Sequence, residues 1–288
     1  MNCAQPILNT LIGEVDSSGF RAEGLHVLVG DDVAEHHWRP DVRREIHSVA
    51  KGVGVLAVGI AADDGLVDID IPVSQYLPEV AFGTGTDEVT LRHLLTMTSG
   101  VDMPWSATEL RDWPDLACEF LGRPSRGRSF QYADASTYTA MRVLATRVGD
   151  VGGFVFRRLF EPLGITNVTW LRCPRGYVAG GSGIALRTGE LARLGRLVRD
   201  GGEVAGRRIV GARWCNAMHT DWVVRPDAGP GYDRYAMAGW GGPAQLWRLH
   251  GAYGQMLLFD GDTVVTVTAD DHEGADAFAA AVADLLRN

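Results

Sequence analysis

Ser48 and Lys51 are the first residues in this sequence whose types and spacing could do chemistry. Three apart on one helical face, a serine hydroxyl and a lysine amine can meet. The hydroxyl is a poor nucleophile until a neighbouring base takes its proton. A place near a helix N-terminus also favours the negative charge that develops on attack. Ser-x-x-Lys alone recurs by chance in many proteins, but this lysine is singular. Lys51 is the only lysine in 288 residues, the other 26 of the 27 basic residues being arginine. Arginine stays charged at any working pH, whereas a lysine amine can shed its proton when buried or near other cations. A site that needs a basic amine must use lysine.

Two later segments add to the pair. In Phe130-Gln131-Tyr132-Ala133-Asp134, a tyrosine held beside an ammonium is pushed towards phenolate and can relay a proton. Asp134 could hold Lys51 in place. The plainer reading is a buried tyrosine and a helix-capping aspartate. In His250-Gly251-Ala252-Tyr253-Gly254-Gln255, small residues would let backbone approach a substrate, and a strand-edge N–H could point at an oxyanion. A Gly-rich hairpin bend is the plainer reading there.

The elements that must position these groups follow from pattern. Gln5 to Val15 reads as an opening helix, and Leu25–Val29 and Val33–Trp38 as strands joined at Gly30-Asp31-Asp32. Ile46 to Ala62 is apolar almost all round, the mark of a buried helix, and its Gly52, Gly54 and Gly59 imply close packing against neighbours. Leu91–Met97, Tyr138–Val148 and Thr188–Arg199 read as helices. Leu246–His250, Gln255–Phe259 and Thr263–Thr268 read as strands, and Ala275–Leu286 as a closing helix. Strands at both ends with helices between predict an α+β fold, an α/β sandwich. Its antiparallel sheet comes from both termini and is flanked by helices. The division expected is one domain over 1–288, with a sheet part at about 1–60 and 205–288 and a helical part at about 61–204.

Ser-x-x-Lys, then Tyr-x-Asn, then Lys-Thr-Gly or His-x-Gly on a late strand is an ordered signature. With it the chain resembles the serine β-lactamases and penicillin-binding proteins. It is most similar to their class C-like branch, which includes family VIII esterases, D-aminopeptidases and related transacylases. The supporting stretches, Gly65–Glu79, Leu91–Gly100, Phe160–Gly164 and Gly180–Gly202, extend the resemblance over about residues 20 to 285. It implies Ser48 as nucleophile, Lys51 as its base and Tyr132 as proton relay. It further implies an oxyanion hole from the backbone N–H groups of Ser48 and Tyr253, with His250, Gly251 and Ala252 lining the site. The reaction implied is acyl transfer from an ester or amide through acyl-Ser48 to water. Transfer to an amine acceptor, as in antibiotic biosynthesis, and a non-catalytic scaffold are the alternatives. Neither cofactor nor metal is implied.

Three departures matter. Asp134 stands where the family has asparagine, and its charge favours a protonated Lys51, which strengthens Tyr132 as an alternative base. Ala252 replaces a usual glycine, and the chain is short for the branch.

Composition excludes other partners and leaves the small ester or amide that the resemblance implies. A formal charge of −9 without a dense basic stretch argues against nucleic acid. The longest apolar run, Val53–Ala62, is about half of a bilayer span of roughly 20 residues. With 46% hydrophobic and 22% charged residues, and no basic-then-apolar leader over Met1–Leu11, the expectation is a soluble cytoplasmic protein. Cys3, Cys118, Cys173 and Cys215 are scattered and read as reduced. Oligomeric state leaves no mark on the sequence. His36-His37 read as surface residues, His93 as structural, and Asp271-His272-Glu273 as a solvated helix cap. Gly180-Gly181-Ser182-Gly183 lacks the lysine of a phosphate loop. Trp105, Trp113, Trp222 and Trp240 could wall a pocket or fill the core.

Overall fold

The computed structural model describes residues 2–103 and 112–287; Trp105 lies outside them. The chain opens with α1 (Ala4–Ser18), β1 (Ala22–Val29) and β2 (Asp32–His37), then β3 (Arg44–Glu45) and α2 (Ala50–Asp63). A mostly helical stretch carries α3 (Leu91–Leu95), α4 (Leu116–Gly122), α5 (Asp134–Val148) and α6 (Val151–Val155). It is followed by β4 (Ala185–Leu186), α7 (Thr188–Arg199), β5 (Glu203–Val204), β6 (Arg207–Arg208) and α8 (Ala212–Asn216). The chain then returns to the sheet with β7 (Val223–Val224), β8 (Arg234–Tyr235), β9 (Trp240–Gly241), β10 (Trp247–Gly251), β11 (Gln255–Asp260) and β12 (Thr263–Ala269). It closes on α9 (Ala275–Arg287).

Eight strands form one sheet in the order β2-β1-β12-β11-β10-β9-β8-β7. The pairings are antiparallel, so the two chain termini meet at β1 and β12, with Val27 opposite Val265. Strand alternation sends side chains to two cores. Leu25, Val27, Met256, Leu258 and Val267 face α1 and α9. Leu249, Leu257, Phe259 and Val264 face α2 and the helices beyond it.

α2 is buried from Ala50 to Ala61, and its glycines mark where neighbours come closest. A Cβ on Gly52 would lie 2.7 Å from Leu249 Cδ1 of β10, and one on Gly59 2.5 Å from Trp214 Cγ of α8. Gly54 faces Met141 and Thr137 of α5. The helix is thus clamped between sheet and helices, which fixes the residues at its N-terminal end. Trp113 and Trp222 pack against this core. Among the described residues no helix is long and apolar enough to cross a membrane. The four cysteines form no disulfide there.

Candidate active site

The helix expected over Ile46–Ala62 starts later than its apolar pattern implies. His47–Val49 form a single 3₁₀ turn, and the α-helix begins at Ala50. The cause is a long-range contact: Ile46 N–H bonds to the Ile184 carbonyl at 2.9 Å, and His47 takes a left-handed φ of +47°. That region is unfavourable for a residue with a Cβ and persists only where surroundings hold it. Ser48 therefore sits on the turn leading into α2. The three-residue spacing survives, with Lys51 Nζ donating to Ser48 Oγ at 3.0 Å.

Lys51 is the most deeply placed charge of this region, its side chain only 2% exposed. Its ammonium also donates to Asp134 Oδ1 at 2.5 Å and to the Gly181 carbonyl at 3.2 Å, and lies 4.8 Å from the centre of the Tyr132 ring. Burial pulls its pKa down, but the Asp134 carboxylate and the Tyr132 hydroxyl outweigh that and raise it above the ordinary lysine value. Lys51 is thus an ammonium at rest, and Ser48 Oγ accepts its hydrogen bond. The expectation that Asp134 favours the protonated amine holds electrostatically. Asp134 is the first residue of α5, where the helix dipole favours its charge.

Tyr132 enters just before α5, its segment fixed by Gln131 N–H bonded to the Met97 carbonyl at 2.8 Å. Its ring belongs to an aromatic wall, with Trp240 at 5.4 Å and Tyr235 at 5.9 Å between centroids. Met97, Phe130 and Tyr232 join the same cluster. The Arg225 guanidinium caps the Phe130 ring at 4.5 Å. Among the described residues, Trp240 is the candidate tryptophan that joins this wall.

β10 supplies the opposite edge. A Cβ on Gly251 would fall 2.3 Å from the Ile46 carbonyl oxygen and 3.2 Å from Ser48 N. Only glycine lets this strand come so close to the serine turn. Ala252–Gly254 then form a 3₁₀ turn in which Tyr253 has φ +59° and ψ +21°, its side chain at the surface.

His250 points elsewhere. Strand alternation puts it, with Arg248, on the α9 side. There its Nδ1 meets the Tyr232 hydroxyl at 3.1 Å and lies 3.8 Å from Asp276. Burial, reinforced by the Arg248 charge, lowers its pKa to about 4. It supports the aromatic wall from behind, through Tyr232, whose ring is 5.0 Å from Trp240.

Other candidates fall into structural roles. His93 completes a capping box with Thr90 at the start of α3. Asp271 is buried, not solvated as expected, because its carboxylate accepts the Gly274 and Arg21 N–H groups and joins β1 to the start of α9. No group of side chains able to hold a metal ion occurs among the described residues. A cavity of about 740 Å³ opens at the far end of α2, lined by Asp68, Arg92 and Trp214 but by none of the residues above. A smaller one of about 350 Å³ lies beside His47 and Tyr253.

Sequence reasoning passed over two contributors. Gly180-Gly181 was weighed as a phosphate loop, yet it roofs Lys51: a Cβ on Gly181 would sit 2.6 Å from Asp134 Oδ1 and 3.0 Å from Lys51 Nζ. Consecutive glycines were the available signal, since they permit close backbone approach. His47 was overlooked because nothing in its neighbours foretells a left-handed backbone.

A sheet carrying a late strand against a Ser-x-x-Lys turn defines a class, the β-lactamase fold. The beta-lactamase family model matches residues 17–287, and the chain belongs to that family. A 6-aminohexanoate-dimer hydrolase of Paenarthrobacter ureafaciens is 29% identical over 222 residues, covering 67% of this chain and 55% of the relative. The chain thus spans about half the length of that curated relative. A class C beta-lactamase from Rhodobacter sphaeroides superposes with TM-score 0.78 at 15% identity, covering 98% of this chain and 99% of that one. A penicillin-binding protein homologue from Pyrococcus abyssi gives 0.73 at 14% identity, covering 99% and 77%. At such identities the structures speak for the fold.

Proposed function

We propose that this protein is a serine acyl-enzyme hydrolase acting on an ester or amide, with Ser48 as nucleophile and Tyr132 and Lys51 as its proton-handling pair. One observation carries the reading. A buried ammonium lies 3.0 Å from the Ser48 hydroxyl and under the face of Tyr132. Asp134 holds that ammonium charged, so it cannot take the serine proton as it stands.

In this reading Ser48 Oγ attacks the carbonyl carbon and its proton passes to the phenolate form of Tyr132, whose own proton has first gone to solvent. The charge carried by a tyrosine acceptor is offset by Lys51 beneath it. The tetrahedral oxyanion is received by the N–H groups of Ser48 and Tyr253. Collapse expels an alcohol or amine, which takes a proton back from Tyr132, and leaves acyl-Ser48. Water then attacks by the same relay. Two amino acids joined head to tail share an amide, so the name of the Paenarthrobacter relative favours amide substrates. An amine in place of water would turn the same intermediate to amide formation.

The test is turnover of a panel of p-nitrophenyl esters and short linear amides by wild type and Ser48→Ala. A wild-type rate that falls at least about 10³-fold in the variant is expected. A rate that survives Ser48→Ala contradicts the reading.

A further inference from the structure

His47 precedes the nucleophile and belongs to none of the groups above. It is left-handed, with φ +47°, and so is Tyr253 across the site, with φ +59°. The described residues include eight non-glycine positions with positive φ, and two of them flank the corner proposed to receive the oxyanion. The peptide between His47 and Ser48 carries the Ser48 N–H itself. The two rings meet, with centroids 5.2 Å apart, and Tyr253 touches His272 on its far side at 5.7 Å.

The imidazole has an acidic neighbour on a second side. Its Nδ1 lies 3.8 Å from Glu45 Oε1, and the same oxygen accepts the Gly183 N–H at 2.9 Å. Glu45 thereby stands between the imidazole and the loop whose Gly181 carbonyl holds Lys51. The charges that act on the ring are Glu45 of β3 and Asp134 of α5, which favour its protonation, and Lys51 of α2, which opposes it. Burial is the largest influence, and the net effect is a pKa below the usual histidine value.

We propose that His47 is a positioning residue of the oxyanion corner: its ring, packed against that of Tyr253, holds Tyr253 in the left-handed turn that presents its N–H beside that of Ser48. Two strained backbones are steadier when each ring blocks the other's relaxation. The inference rests on the acyl-Ser48 reading and adds a determinant of its rate.

The test measures the acylation rate and the KM for a p-nitrophenyl ester in wild type, His47→Ala, His47→Phe, Tyr253→Ala and the double alanine variant, with a melting temperature for each. His47→Ala is expected to slow acylation about 10- to 100-fold, a fraction of what losing an oxyanion donor costs, with KM within about twofold. His47→Phe keeps a ring and should recover to within about fivefold of wild type. Because Tyr253 is at the surface, Tyr253→Ala tests the same contact should His47→Ala fail to fold, and the double variant should be no slower than the worse single one. Wild-type acylation by His47→Ala or Tyr253→Ala, or full additivity in the double variant, overturns the positioning role alone. No ester acylating Ser48 of the wild type overturns both this role and the reading beneath it.

Discussion

Two buried cation–carboxylate pairs lie on α5, and they are built for opposite ends. Arg142 donates to Asp115 Oδ2 at 3.0 Å and to Glu79 at 2.8 Å, and its guanidinium covers the Tyr177 ring at 4.3 Å. Asp115 in turn accepts the Tyr138 hydroxyl and caps α4 through the Ala117 N–H. Its side chain is 3% exposed. At the start of the same helix, Asp134 is one-third exposed and its partner is lysine, turned to a hydroxyl and a tyrosine face. The first pair uses the cation that cannot lose a proton and surrounds it with protein partners. The second uses the cation that can, and leaves one side open to a serine. A buried charge pair alone says little about function. What it is left free to do separates the two.

Substitutions sharpen this contrast. Lys51→Arg keeps the charge but not the compact amine, and should lower kcat by about 10³-fold or more while the protein stays folded. Steady-state kinetics beside a melting curve checks it. Arg142→Ala should do the reverse. Stranding the buried Asp115 costs about 3–5 kcal/mol, or roughly 10 °C in melting temperature, with kcat of the folded protein near wild type. If Arg142→Ala instead lost activity without losing stability, the division between the pairs would fail.

Asp134→Asn separates the two possible bases. Removing that carboxylate lets burial dominate, so the Lys51 pKa falls. If the ammonium is the working form, the alkaline limb of the kcat/KM profile moves to lower pH. A rise in activity at neutral pH would instead make Lys51 the direct base.

The smallest expected effect concerns His250. Its folded pKa of about 4 lies below the unfolded value near 6.5, so the unfolded chain binds the extra proton first. Stability is therefore complete above pH 6.5 and falls as pH drops towards 4, by up to about 3 kcal/mol. Melting curves at pH 7 and 4.5 should show this loss in wild type and less of it in His250→Phe.

Much of this was legible in the chain because the physics was local. The three-residue spacing of Ser48 and Lys51 places both groups whether the turn is 3₁₀ or α. The strands expected over Gln255–Phe259 and Thr263–Thr268 differ by one residue each from Gln255–Asp260 and Thr263–Ala269. The apolar run after Ile46 marked a buried helix, though not where it starts, because a bond to Ile184 far along the chain sets the preceding turn. His250 was placed in the site by its motif, while strand alternation turns it to α9. The aromatic wall draws on Phe130, Tyr132, Tyr235 and Trp240, far apart in sequence and united by β8 and β9, two-residue strands too short to leave a period-2 pattern. Long-range packing chose these features, and no local pattern records it.

The central claim, that Ser48 carries the acyl group, is tested most directly by trapping the intermediate. Wild type and Ser48→Ala are mixed with an activated ester, a fluorophosphonate and a penicillin, quenched, and weighed intact before peptide mapping. A mass gain in wild type, located on the peptide containing Ser48 and absent from Ser48→Ala, is the predicted result. An adduct on another residue, or one that persists in Ser48→Ala, would contradict the account.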